Sequence, residues 1–133
     1  MGTFKTFEEI EAWRQARELT RLVYEVSGKG TFGRDFALRD QIRRAAVSVM
    51  SNIAEGFGRG GAREFVQFLS VARGSASEVS AQLYVALDQG YVSKECFGQL
   101  QEQATRTGSV ISGLVRYLRT EGLKGSKYRT SDE

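Results

Sequence analysis

Residues 62–89 read AREFVQFLSVARGSASEVSAQLYVALDQ, and their spacing decides the fold. Phe65, Leu69, Ala72, Ala76, Val79, Leu83 and Ala86 recur at alternating steps of four and three. A helix of 3.6 residues per turn carries such a set along one face. A spacing sustained this long belongs to helices packed at shallow angles. Upstream, residues 34–56 carry Leu38, Ile42, Ala45, Val49 and Ile53, with Ala46 and Met50 beside them. Before that come Ala12, Ala16, Leu19, Val23 and Val26, a stripe widened by Ile10, Trp13 and Leu22. Downstream, residues 93–120 carry Phe97, Leu100, Ala104, Ile111, Leu114 and Leu118, with Thr107 in the one polar slot. The joints are short and glycine-marked, which makes neighbouring helices antiparallel. The expected fold is all-α, an antiparallel up-and-down four-helix bundle over residues 1–121. Residues 122–133 are polar, without apolar period, and are expected to form a mobile tail.

Local signals refine this frame. Thr6 and Glu9 have the spacing of a capping box at the start of the first helix. Gly74 lies in the interior of the third, where glycine costs about 1 kcal/mol relative to alanine. A close approach by Ala45 and Ala46 of the second helix is the expected reason for it. At 133 residues the chain can bury a core without disulfides or metal. It has no proline, so nothing within it breaks long helices. The one cysteine, Cys96, has no partner for an intramolecular disulfide, and a reducing compartment suits it. No leader or membrane-length apolar run is evident, and the cytoplasm is the expected location.

The absence of histidine narrows the chemistry. Carboxylate-bridged di-metal bundles need Glu-x-x-His motifs projecting inward, so no metal is expected. No phosphate-binding Gly-x-x-x-x-Gly-Lys-Ser/Thr occurs, and Cys96 has no histidine to activate it. The chain reads as a non-enzyme without cofactors. Its net charge of +3 and pI near 9.2 lean towards anions, less strongly than in a dedicated nucleic-acid binder.

The stretch from Asp40 to Ser48, then Ser51 to Gly56 and Gly58-Arg59, resembles the core motif of the 23S ribosomal RNA intervening-sequence protein family. The match continues through Glu64-Phe65, Phe68-Leu69, Ala72 to Ser75, Glu78, Gln82-Leu83 and Gly90-Tyr91, and covers residues 4 to 120. This resemblance implies a four-helix protomer and a homopentameric ring. More distantly the chain is similar to the accessory protein of diversity-generating retroelements, a basic pentamer that binds a reverse transcriptase and nucleic acid. Binding of RNA or DNA follows here only by that analogy.

Three sets of residues are candidates for function. Arg59 and Arg63 flank a glycine-rich loop before a helix N-terminus, a place that attracts anions. Asp35–Arg39, Asp40–Arg44, Arg14–Glu18 and Arg21–Glu25 have intrahelical pairing distance, which leaves Arg43 without such a partner. Arg43, Arg59 and Arg63, with Lys124, Lys127 and Arg129 on the tail, are the expected phosphate contacts. Asn52, Glu55 and Arg73 are expected to form a structural polar network, because Glu55 near a helix C-terminus needs a compensating partner. Phe4, Phe7, Trp13, Tyr84 and Tyr91 exceed what a narrow bundle core holds, and are expected at a contact between copies of the chain. The competing expectation is a scaffold that docks another protein and binds no nucleic acid.

Overall fold

The computed structural model describes residues 4–123. Four helices follow one another: α1 (Glu11–Ser27), α2 (Phe36–Gly58), α3 (Ala62–Asp88) and α4 (Lys94–Leu123). Short 3-10 turns at Phe7–Glu9 and Phe32–Arg34 precede α1 and α2. No strand occurs among the described residues. Each helix packs on its sequence neighbours and α4 closes onto α1, which is the up-and-down bundle. The core falls into two clusters. One joins the start of α1 and α3 to the end of α2 and α4, through Ala16, Ile53, Phe65, Leu69, Ile111 and Leu118. The other joins the opposite ends, through Leu19, Val23, Ile42, Val79, Leu83 and Leu100.

Polar side chains bridge the seams between helices. Gln103 Nε2 donates to Gln15 Oε1 at 2.8 Å and to Gln15 O at 3.1 Å, tying α4 to α1. Thr107, fully buried, donates its hydroxyl to Gln103 O at 2.8 Å. Between α2 and α3, Ser48 Oγ meets Ser75 Oγ at 2.9 Å. Buried polar groups paired in this way avoid the 1–3 kcal/mol (roughly) that an unmet group costs.

The helices differ from expectation in three places, two at their ends and one inside α3. Thr6 makes no side-chain cap; Glu9 accepts from Lys5 N at 3.3 Å, and α1 begins only at Glu11. The chain turns through a 3-10 helix first, so the capping-box spacing never meets a helix start. α4 continues to Leu123, past the boundary expected at 121, and residues 124–133 lie outside the described residues. Gly74 is exposed, and a Cβ on it would meet nothing within 4 Å. The close approach is at Gly56, where a Cβ would stand 2.6 Å from Phe68 Cβ.

One carboxylate organises an end of the bundle. Asp35 caps α2 by accepting from Leu38 N at 3.1 Å, and its other oxygen accepts from the Tyr91 hydroxyl at 2.8 Å. Tyr91 follows Gly90, whose φ of 75° closes α3 while Tyr91 N bonds Ala86 O. The hydrogen bond to Asp35, and secondarily desolvation, hold the Tyr91 phenol above its ordinary 10.0. The unfolded chain therefore releases this proton first, and stability is lost as pH rises from about 10 through the folded-state value. Urea unfolding followed from about pH 8 to pH 11 should show this decline in the native chain and a shallower one in Tyr91→Phe. Equal declines in both would refute the assignment.

Candidate nucleic-acid interface

The expected phosphate contacts divide into engaged and free. Arg43 is engaged: its Nε donates to Ser27 Oγ at 2.8 Å and its Nη2 to Tyr24 O at 3.3 Å. The guanidinium also lies 4.4 Å from the Tyr24 ring centroid. Arg43 thus ties α2 to the end of α1 through the Tyr24 carbonyl and the Ser27 hydroxyl, a fixing role that the intrahelical pairing rule could not reveal. Arg59 pairs with Glu55 at 3.0 Å and lies over Phe68 at 5.2 Å. Arg63, in the first turn of α3, is exposed and makes no ion pair or side-chain hydrogen bond among the described residues. Lys124, Lys127 and Arg129 lie outside the described residues.

The other intrahelical pairings also shift. Arg39 pairs with Asp40 at 3.0 Å, because Asp35 is occupied as a cap. Arg44 is left exposed. In α1, Arg21 pairs with Glu18 at 2.7 Å and Arg14 with Glu11 at 3.6 Å. These are three-residue steps rather than the expected four.

Asn52, Glu55 and Arg73 are not brought together. Asn52 Nδ2 donates to Ser48 O and Oγ, Glu55 holds Arg59, and Arg73 Nη1 donates to Ser112 Oγ at 3.2 Å. Glu55 and Arg59 are each about half exposed, and such pairs contribute little to stability. Of the expected contact aromatics, Phe7 and Trp13 stack edge-on at 5.1 Å, and Tyr91 stacks on Phe32 at 5.3 Å. Phe4 packs against the core. Only Tyr84 of the five is mostly exposed, at 56%.

A basic strip emerges on the α3–α4 side. Arg73–Ser112 and the Ser80–Gln101 hydrogen bond fix the antiparallel register of these helices. That register sets Arg63, at the start of α3, across from Arg119, near the end of α4. Arg116 lies one turn before Arg119, and Arg73 and Ser112 one turn further. Arg116 and Arg119 are exposed and, like Arg63, hold no carboxylate among the described residues. None of Arg63, Arg73, Arg116 and Arg119 has an acidic residue three or four positions away. Arg17 and Arg34 pass the same test, so spacing alone does not separate these four from other arginines.

The model of the 23S rRNA-intervening sequence protein family matches residues 8–113 of the chain. The chain belongs to this family. A structure of a ribosomal-protein-family member of unknown function from Bacteroides thetaiotaomicron superimposes with a TM-score of 0.70 and 20% identity. The match covers 78% of this chain and 97% of that one, and at this identity the likeness is one of fold. No curated protein matches the sequence.

The remaining chemistry of this intervening-sequence family member is sparse. No group of three or more acidic, histidine or cysteine side chains that could hold a metal occurs among the described residues. Cys96 is half-buried in a cleft between α1 and α4, beside Leu22, Val26 and Leu100. Burial pushes its thiol up, which disfavours the nucleophilic thiolate at neutral pH. No helix among the described residues is long and apolar enough to cross a membrane.

Proposed function

We propose that this family member is a non-enzymatic helical bundle that assembles with copies of itself, as a homopentamer, and binds RNA or DNA through phosphates. The observation that carries the reading is the α3–α4 strip: the register sets Arg63, Arg73, Arg116 and Arg119 along one seam, and none of them forms an ion pair among the described residues. Guanidinium groups match phosphate oxygens in a two-pronged geometry and remain charged at any physiological pH. Contacts of this type position a backbone and read no bases, so binding should be indifferent to sequence. Repetition of the strip around an assembly would sum into one field. In the cytoplasm, where ribosomal and other structured RNA is abundant, such a field has ample ligand.

The test is a salt series with a structured RNA and a duplex DNA. Each phosphate neutralised contributes about 0.9 to the slope of log affinity against log salt for a duplex. Replacing Arg63, Arg116 and Arg119 together by alanine should reduce that slope by about 3 per engaged protomer and weaken binding at every salt concentration. Arg44→Ala, on the far side of α2, should leave it unchanged. No binding at low salt, or an undiminished slope in the triple variant, would reject the proposal in favour of a protein-docking scaffold.

A further inference from the structure

The seam between α3 and α4 runs on beyond its arginines. Three contacts mark it: Arg73 to Ser112, Gln101 to Ser80, and the Tyr84 ring set edge-on to Phe97 at 4.9 Å. On α3, Arg73, Ser77, Ser80 and Tyr84 follow at steps of four, three and four, and so share one line of the helix. On α4, Phe97, Gln101, Gly108, Ser112 and Arg119 share another, at steps of four and seven. The seam therefore has aromatic rings at one end, small and polar residues in the middle and the arginine strip at the other.

The two ends offer different chemistry. Tyr84 is 56% exposed beside a partly buried Phe97, and its hydroxyl has no hydrogen-bond partner among the described residues. An open ring backed by a second aromatic is a place for another flat, apolar face to settle. The middle is low-walled: Ser77 is exposed, and a Cβ on Gly108 would meet nothing within 4 Å. Neither line carries an acidic residue. Glu102, beside the α4 line, is paired with Arg106 at 3.8 Å. At 1.5 Å per residue, Tyr84 lies about 16 Å along α3 from Arg73 and about 30 Å from Arg63.

From this we infer that the seam takes a single-stranded segment of nucleic acid, with a base stacked on Tyr84 and phosphates on Arg73, Arg63, Arg116 and Arg119. It rests on the phosphate-binding reading above and adds which form of nucleic acid fits. A duplex can reach the arginines, but its base faces are covered within its own stack and leave Tyr84 unused. A single strand presents base faces and phosphates together, and sites for it combine a cationic track with stacking rings. Such sites hold about 4–16 nucleotides, which suits a track of this length. Stacking is tolerant of sequence, because every base has a π face, so the seam stays indifferent to base identity.

Titration of the full chain into labelled oligonucleotides, followed by fluorescence anisotropy, tests this. The probes are an oligothymidine strand of about 15 nucleotides, an abasic strand of the same length and a blunt duplex. The abasic strand carries the same phosphates with no bases to stack. The native chain should bind oligothymidine about tenfold more tightly than the abasic strand. Tyr84→Ala should lose that preference and leave duplex binding unchanged, while Tyr84→Trp should keep the preference. Tyr84 is exposed, so circular dichroism should show native helicity in both variants. Equal affinity of the native chain for the two strands, or a preference that survives Tyr84→Ala, would overturn the stacking end of the seam. Salt-dependent binding of all three probes would in that case leave the phosphate reading standing. No binding of any probe at low salt would overturn the phosphate reading, and this inference with it.

Discussion

Gly56→Val is expected to lower stability by about 3 kcal/mol, and the melting temperature by about 10 °C. Gly56 is buried near the end of α2, at the place where α3 comes closest. A Cβ there would stand 2.6 Å from Phe68 Cβ and 3.0 Å from Phe65 Cδ1. Phe68 Cβ is attached directly to the backbone and cannot swing aside. Phe65 is fully buried and set edge-on to Phe57 at 6.1 Å. The ends of α2 and α3 would therefore have to separate and open the cluster beneath them. Thermal unfolding measures the effect, with Gly108→Ala as its opposite. Gly108 lies inside α4 with open space at its Cβ position, and alanine there should add up to about 1 kcal/mol. A Gly56→Val chain that melts with the native one would mean that the helices are not in contact at this point.

Phe32→Ala is expected to cost more, about 3–5 kcal/mol. Phe32 is the largest fully buried side chain outside the four helices, sitting in the 3-10 turn between α1 and α2. It packs into the core cluster with Leu38, Val92 and Leu100, and stacks on Tyr91 at 5.3 Å. Truncation leaves a cavity the size of a phenyl ring beneath two interhelical turns. Neither turn can collapse into it without breaking the Tyr91–Asp35 hydrogen bond. The midpoint of urea unfolding reports the loss. A cost below about 1 kcal/mol would show that this end is not packed as described.

The contrast between these residues shows where sequence reasoning reaches and where it stops. Burial along a helix repeats with the helix itself, so the apolar stripes, and even the buried slot of Thr107, were legible from spacing. Phe32 was not, because it lies among glycines where no period runs. Gly74 and Gly56 look alike in sequence, and which one touches a neighbour depends on the rotation of α3 against α2. Pairing at three or four positions sees only a residue's own helix. It could not find the reach of Arg43 to Ser27, sixteen positions away, or that of Tyr91 to Asp35, fifty-six away. For Glu55 the local rule would have served: its arginine is Arg59, four positions along, and it was the argument from the helix terminus that sent it to Arg73 on α3. For the candidate strip the local rule was not selective, since Arg17 and Arg34 also have no acid three or four positions away. What spacing alone did not supply was the convergence of those arginines on a single seam.

The hydrogen bonds of Gln15, Gln103 and Thr107 have an effect beyond pairing groups. α1 is 17 residues long and α4 is 30, and small side chains such as Ala12, Ala16 and Ala104 line their contact. Two such surfaces could slide past one another by a heptad, about 10 Å, with little change in the apolar area covered. In any slipped arrangement the Gln103 amide would lose both its acceptors on Gln15 and be enclosed by aliphatic carbon, at about 1–3 kcal/mol, while Thr107 would keep only its bond to Gln103 O within α4. The polar rung therefore acts as an alignment pin, selecting one registry for the short helix out of several that hydrophobic contact alone would leave nearly degenerate.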